Sequence, residues 1–184
     1  MPIFGWVILA LVVLILLWAI AAYNSLIRLR NDADEAYSTM DVFLKKRYDL
    51  IPNLVETVKG YAKHEASTLE NVIKARNISA QAGSAAEKFE AENALTGTLR
   101  SLFAVAEAYP DLKANQNFID LQNQLKKVEE DIAGSRRYYN AVVKTYNIKT
   151  EVFPSSLVAS AFHFTRKEMF EISGEQRENV KVQF

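Results

Sequence analysis

The chain has 184 residues, 22 basic against 22 acidic side chains, and no cysteine. Balanced charge argues against a nucleic-acid binder with a strongly basic face, and the lack of cysteine removes disulfides, thiolate catalysis and cysteine-based zinc sites. The length suits one membrane anchor plus one domain, and six glycines and four prolines among abundant Ala, Glu, Lys, Leu and Gln favour long helices with short connections.

Ile3 to Tyr23 carries no charge and includes thirteen Leu, Ile, Val or Phe residues. About twenty residues of helix span roughly 30 Å, the thickness of a bilayer's hydrocarbon core. Trp6 and Tyr23 stand near the two ends as interface anchors, Trp18 lies deeper, within reach of a partner helix, and Arg28 and Arg30 follow. Ala19-Ile20-Ala21 has the form of a signal-cleavage site, but no Lys or Arg precedes the run. The run is also longer than the roughly 7–15 residues of a signal core, so a retained anchor is expected over residues 1–27. Arg28, Arg30, Lys45, Lys46 and Arg47 all lie after the span. The positive-inside rule then puts the N-terminus outside and the domain in the cytoplasm, as a single-pass protein of the bacterial inner membrane.

Residues 28–164 read as an all-α bundle of three long antiparallel helices and one short one. Ala33, Tyr37, Met40, Leu44, Ile51, Leu54, Val58, Tyr61, Leu69 and Val72 form one stripe at helical spacing, implying a single long helix continuing from the anchor. Pro52 interrupts that stripe without ending it, which predicts a kink near Asp49 to Pro52, and Gly60 is a second weak point. Ala80 to Ala86 reads as a connection, and a second helix is expected over Glu87 to Ala108 with Leu95, Leu99, Leu102, Ala106 and Tyr109 on one face. Tyr109-Pro110 ends it. Asn115 or Asn117 caps a third helix whose core positions are Phe118, Leu121, Leu125, Val128, Ile132, Ser135, Tyr139, Val142 and Tyr146. Phe153-Pro154-Ser155-Ser156 breaks the chain before a short helix at Leu157 to Phe164, and residues 165–184 are expected to form an extended tail.

The segment Arg47-Tyr48-Asp49-Leu50-Ile51-Pro52-Asn53-Leu54-Val55-Glu56, with Val58-Lys59-Gly60-Tyr61-Ala62, resembles the signature of the LemA family of bacterial membrane proteins. Tyr23-Asn24, Arg30-Asn31, Ala106 to Ala114, Arg136-Arg137-Tyr138-Tyr139-Asn140, Tyr146-Asn147 and Phe153-Pro154 extend the likeness over nearly the whole chain. Tyr37 departs from it, an aromatic standing where many relatives carry tryptophan. The resemblance implies a single N-terminal anchor and an antiparallel helical bundle, and it implies no activity.

The chain shows no phosphate-cradling loop or nucleophile elbow. His64 has Tyr61 and Gly60 at the spacings where a helical metal site needs ligands, and His163 sits between Phe162 and Phe164 as a packing or solvent-tipped ring. No cofactor and no metal is expected. Arg47, Asp49 and Asn53, with Glu107 and Arg136 as partners, are candidates for a buried structural polar network around Pro52. Glu129-Glu130-Asp131 reads as a solvated face. Phe162, Phe164, Met169 and Phe170 follow Pro154 with little chain left to bury them, making them candidate oligomer contacts. Together these features suggest a non-catalytic, membrane-anchored scaffold or adaptor that self-associates, with membrane lipids as partners and no nucleic acid. The alternative is a sensor of a small ligand or lipid through a polar site near Pro52.

Overall fold

The computed structural model describes residues 2–170, with Pro2 described by its backbone alone. Every regular element in that range is helical: α1 (Pro2–Lys59), α2 (Ala66–Gln81), α3 (Ala85–Glu107), α4 (Pro110–Lys113), α5 (Gln116–Glu151) and α6 (Ser155–Ala161). Of the tail expected over 165–184, residues 165–170 are non-helical, and the remainder lies outside the described residues.

The single long helix expected from residue 33 to 72 is in fact two. α1 ends at Lys59, and its last turn tightens as the Tyr61 amide donates to the Val58 carbonyl at 3.0 Å. Glycine, the poorest non-proline helix former, stands at the break, so Gly60 ends the helix where only a weak point was expected. The apolar spacing runs on across the break because Ala62, Leu69 and Val72 are buried as well, so periodicity alone does not register the turn.

α1 continues through Pro52. Proline has no N–H to offer the carbonyl four residues back, that of Tyr48. Arg76 on α2 supplies the missing donor, its Nε reaching the Tyr48 carbonyl oxygen at 3.2 Å. A helix-breaking residue is thereby accommodated by a side chain from the next helix.

α3 starts two residues before its expected position, on a capping box. Ser84 Oγ accepts from the Glu87 amide at 3.2 Å, while Glu87 Oε2 accepts from the Ser84 amide at 3.2 Å. Tyr109 ends this region as the proline rule requires, yet Pro110 then opens the single turn of α4, fitting a first helical position. Asn115 caps α5, its Oδ1 accepting from the Phe118 amide at 3.0 Å.

The chain divides into two compact units. One comprises residues 1–38 and 137–169; the other comprises residues 39–136 and, among described residues, Phe170. In the second unit Met40, Leu44, Ile51, Leu54, Val58, Val72, Leu95, Leu99, Leu102, Leu112, Phe118, Leu125 and Ile132 are buried.

In the first unit every side chain from Ile3 to Trp18 is exposed, on a helix long and apolar enough to cross a membrane. Ala33, Ala36, Tyr139, Val143 and Tyr146 are buried there, Val143 taking the core position expected of Val142. α6 closes with the Phe164 amide donating to the Ala159 carbonyl at 2.9 Å and His163 at φ 56°. This is a Schellman-type end in which histidine occupies the left-handed position usually held by glycine. It turns Phe164 back onto a small core of Ala22, Leu26, Val158 and Ala159.

Candidate functional site

The polar centre of the second unit forms around Arg47, which is fully buried. Its Nη2 pairs with Glu92 on α3, itself fully buried; its Nη1 donates to Glu129 Oε1 on α5 at 2.7 Å and to Thr96 Oγ1 at 3.3 Å. The Tyr48 hydroxyl donates to the other Glu92 oxygen. Arg136 comes within 3.8 Å of Glu92 Oε2, and its guanidinium lies 3.8 Å from the centre of the Phe170 ring, which packs 4.4 Å from Phe89. Two guanidinium groups thus face two carboxylates, and the cluster is charge-balanced.

Burial, then the Glu92 carboxylate, push the Tyr48 phenol well above its ordinary value, so it stays a neutral donor. Burial and the neighbouring Arg47 charge lower Arg136 to about 10, which leaves it charged at neutral pH. Buried charges need their hydrogen bonds met: Glu92 binds both Arg47 and Tyr48, whereas Arg47 Nε and the Nε and Nη2 of Arg136 find no hydrogen-bond partner among the described residues.

Of the five residues expected in a polar network, the structure brings Arg47 and Arg136 together. Asp49 is exposed and pairs with Lys45 at 2.9 Å; Asn53 is exposed; Glu107 is exposed and pairs with Lys113. Asp49 and Asn53 lie on the solvent side of α1 because the helix repeat that turns Arg47, Ile51 and Leu54 inward turns these two outward. Glu129, expected on a solvated face, instead reaches Arg47. Glu92 went unread, although it stands three residues before Leu95, in register with Leu99 and Leu102, so a carboxylate at a core position was the available signal.

A second polar constellation lies in the first unit. The Asn147 carboxamide pairs with the backbone of Lys167 as another peptide group would: its Nδ2 donates to the Lys167 carbonyl at 2.8 Å, and its Oδ1 accepts from the Lys167 amide at 2.9 Å. The Tyr146 hydroxyl donates to the Thr165 carbonyl at 2.9 Å and the Tyr139 hydroxyl to the Glu168 carbonyl at 2.8 Å. Burial pushes the Tyr139 phenol up to about 12. These α5 side chains replace the strand partner that residues 165–168 lack, which is why a non-helical segment holds its place.

The model of the LemA family matches residues 36–184. The chain belongs to the LemA family. It is 26% identical over 161 residues to Protein LemA of Metamycoplasma hominis, covering 85% of this chain and 72% of that one. Magnetosome protein MamQ 2 of Paramagnetospirillum magneticum is 26% identical over 175 residues, covering 81% of this chain. Magnetosome protein MamQ of Magnetospirillum gryphiswaldense is 27% identical over 174 residues, covering 80% of it. The chain spans 64% of the length of each of these two MamQ relatives. This LemA-family chain is a membrane-associated helical protein with, among the described residues, one candidate membrane-spanning helix near its N-terminus. Arg47, Tyr48, Glu92, Glu129 and Arg136 all fall within the matched range.

Proposed function

We propose that this LemA-family protein is a single-pass scaffold or adaptor of the bacterial inner membrane that self-associates and performs no catalysis. The observation that carries this reading is the polar centre: Arg47 is held by Glu92, Glu129 and Thr96, and Arg136 stands 3.8 Å from Glu92. Chemistry-bearing side chains are committed to holding α1, α3 and α5 in register. Buried networks of this kind fix a unique packing arrangement more reliably than they add stability.

Self-association has a surface to use. A groove of about 1000 Å³ lies between the end of α1 and α2, with Val55, Leu69, Ile73 and Ile78 among its lining residues. Lys59, Lys63 and Lys74 line it together with Glu56 and Glu70, a mixed-charge lining suited to a second copy of the same chain. The proposed contacts after Pro154 narrow at the same time. Phe170 is buried and Phe164 packs on the Ala22–Leu26 core, because the chain folds back after His163; Met169 is half-buried, and Phe162 keeps an exposed ring. Co-expressed copies carrying different tags should therefore co-purify from a detergent extract. Recovery of each tag alone would remove self-association from the account.

The basic residues following the span support an N-terminus outside and the helical domain in the cytoplasm. A protease added to intact cells should spare the domain and should digest it once the cells are opened; digestion in intact cells would reverse the orientation.

A sensor remains the second reading, favoured by a groove of about 540 Å³ between α3 and α5. It is lined by Leu99, Arg100, Phe103 and Gln122 and opens onto Thr96 and Glu129. The place for a ligand is then beside the cluster's outer members.

A further inference from the structure

The corner between α5 and α6 carries large apolar side chains that its own unit does not cover. Phe153 is 80% exposed, Leu157 61% and Phe162 60%. Scattered exposed apolar residues are ordinary, so exposure alone decides nothing. What sets these apart is their position relative to the N-terminal span.

α6 packs on Ala19, Ala22, Tyr23 and Leu26, the stretch in which α1 leaves its apolar run. The Phe162 ring centre is 4.7 Å from that of Tyr23, the aromatic expected at headgroup level. From Ile20, the last large apolar residue of the run to be exposed, to Leu26 is about 9 Å of helix, comparable to the interfacial layer beyond the hydrocarbon. A helix seated on these residues therefore lies within or against that layer.

Trp18, Ala22, Lys149, Val152, Phe153 and Pro154 line a groove of about 300 Å³ along the same level. Trp18 is thus matched to this corner of its own chain. Lys149 on the groove's edge presents an ammonium group on a flexible stem, the form that reaches from an apolar surface to lipid phosphates. The corner itself is fixed: the single Ser155 hydroxyl proton is shared between the Lys149 carbonyl, 2.7 Å from Oγ, and the Val152 carbonyl, 3.0 Å from it.

We propose that the α5–α6 corner, through Phe153, Leu157 and Phe162, is a second membrane contact, lying in the interface of the same bilayer that the N-terminal helix enters. This rests on the anchor reading and goes beyond it. A lone span leaves the domain free to swivel on its tether. A second contact in the interface fixes the tilt of residues 137–164 against the membrane plane and presents the groove beside Trp18 to lipid.

The absence of cysteine allows single labels to be placed without background. Full-length protein carrying Phe153→Cys, Leu157→Cys, Leu14→Cys or Tyr138→Cys, each labelled with a small fluorophore, is reconstituted into vesicles of phosphatidylcholine and phosphatidylglycerol. Quenching is then read with lipids bearing a nitroxide near the headgroup and with iodide in the water. Tyr138, exposed on α5, serves as the aqueous reference. The proposal expects the labels at 153 and 157 to be quenched several-fold more by the lipid nitroxide than the label at 138, and shielded from iodide.

Labels at 153 and 157 that behave like the one at 138, while the label at 14 stays shielded from iodide, would overturn the proposal and leave the anchor standing. Labels at 153 and 157 shielded from both quenchers would mark a contact between copies and overturn it equally. A label at 14 that iodide reaches would overturn the anchor reading and the proposal together.

Discussion

Glu92→Ala should destabilise the helical domain by about 3–5 kcal/mol, because it leaves the fully buried Arg47 guanidinium without its main counter-charge. Tyr48 would lose its acceptor in the same step, and Arg136 its nearest carboxylate within the unit. A domain of this size should melt on the order of 10 °C lower, read by far-UV circular dichroism in mild detergent. The double variant Arg47→Met, Glu92→Leu should recover much of that loss, since buried pairs replaced by apolar groups of similar volume are often neutral. If Glu92→Ala melts within about 1 kcal/mol of the parent, the cluster is not what holds α1 and α3 together.

Asn147→Asp should release the segment that follows α6. The carboxylate keeps an acceptor for the Lys167 amide but turns the second contact into a repulsion against the Lys167 carbonyl. Losing one such bond and leaving its partner unsatisfied costs about 1–3 kcal/mol locally. Trypsin cleavage at Arg166 and Lys167 should then accelerate roughly ten- to a hundredfold, since proteolysis follows the population of the opened segment. Far-UV circular dichroism should barely change. Unaltered cleavage would mean that Tyr139 and Tyr146 alone hold the segment.

These two sites differ in how far the sequence discloses them. The helices α3 and α5 are legible because their apolar positions repeat at three and four, and α5 is placed to within a few residues by that repeat and by Asn115. The break after Lys59 is not legible in the same way, since a turn that preserves the apolar register leaves no trace in the spacing. Arg47 stands out as a charge between Leu44 and Ile51, both fully buried. Its partners do not, because a pairing across 45 or 82 residues depends on how helices meet. Glu129 is one of three consecutive acidic residues, and only packing selects which of them turns inward. Asn147 is harder still: a buried amide that binds backbone is chemically indistinguishable, in sequence, from one on the surface. The Phe170 ring shows the reverse error, an apolar residue near the chain's end that finds cover beside Arg136 and Phe89.

The central claim, a self-associating membrane scaffold, is tested most directly by the native mass of the full-length chain extracted in mild detergent, corrected for bound detergent. A mass at a whole multiple of 20.8 kDa above one, persisting on dilution, is the expected result. A mass of one chain at every concentration would contradict it.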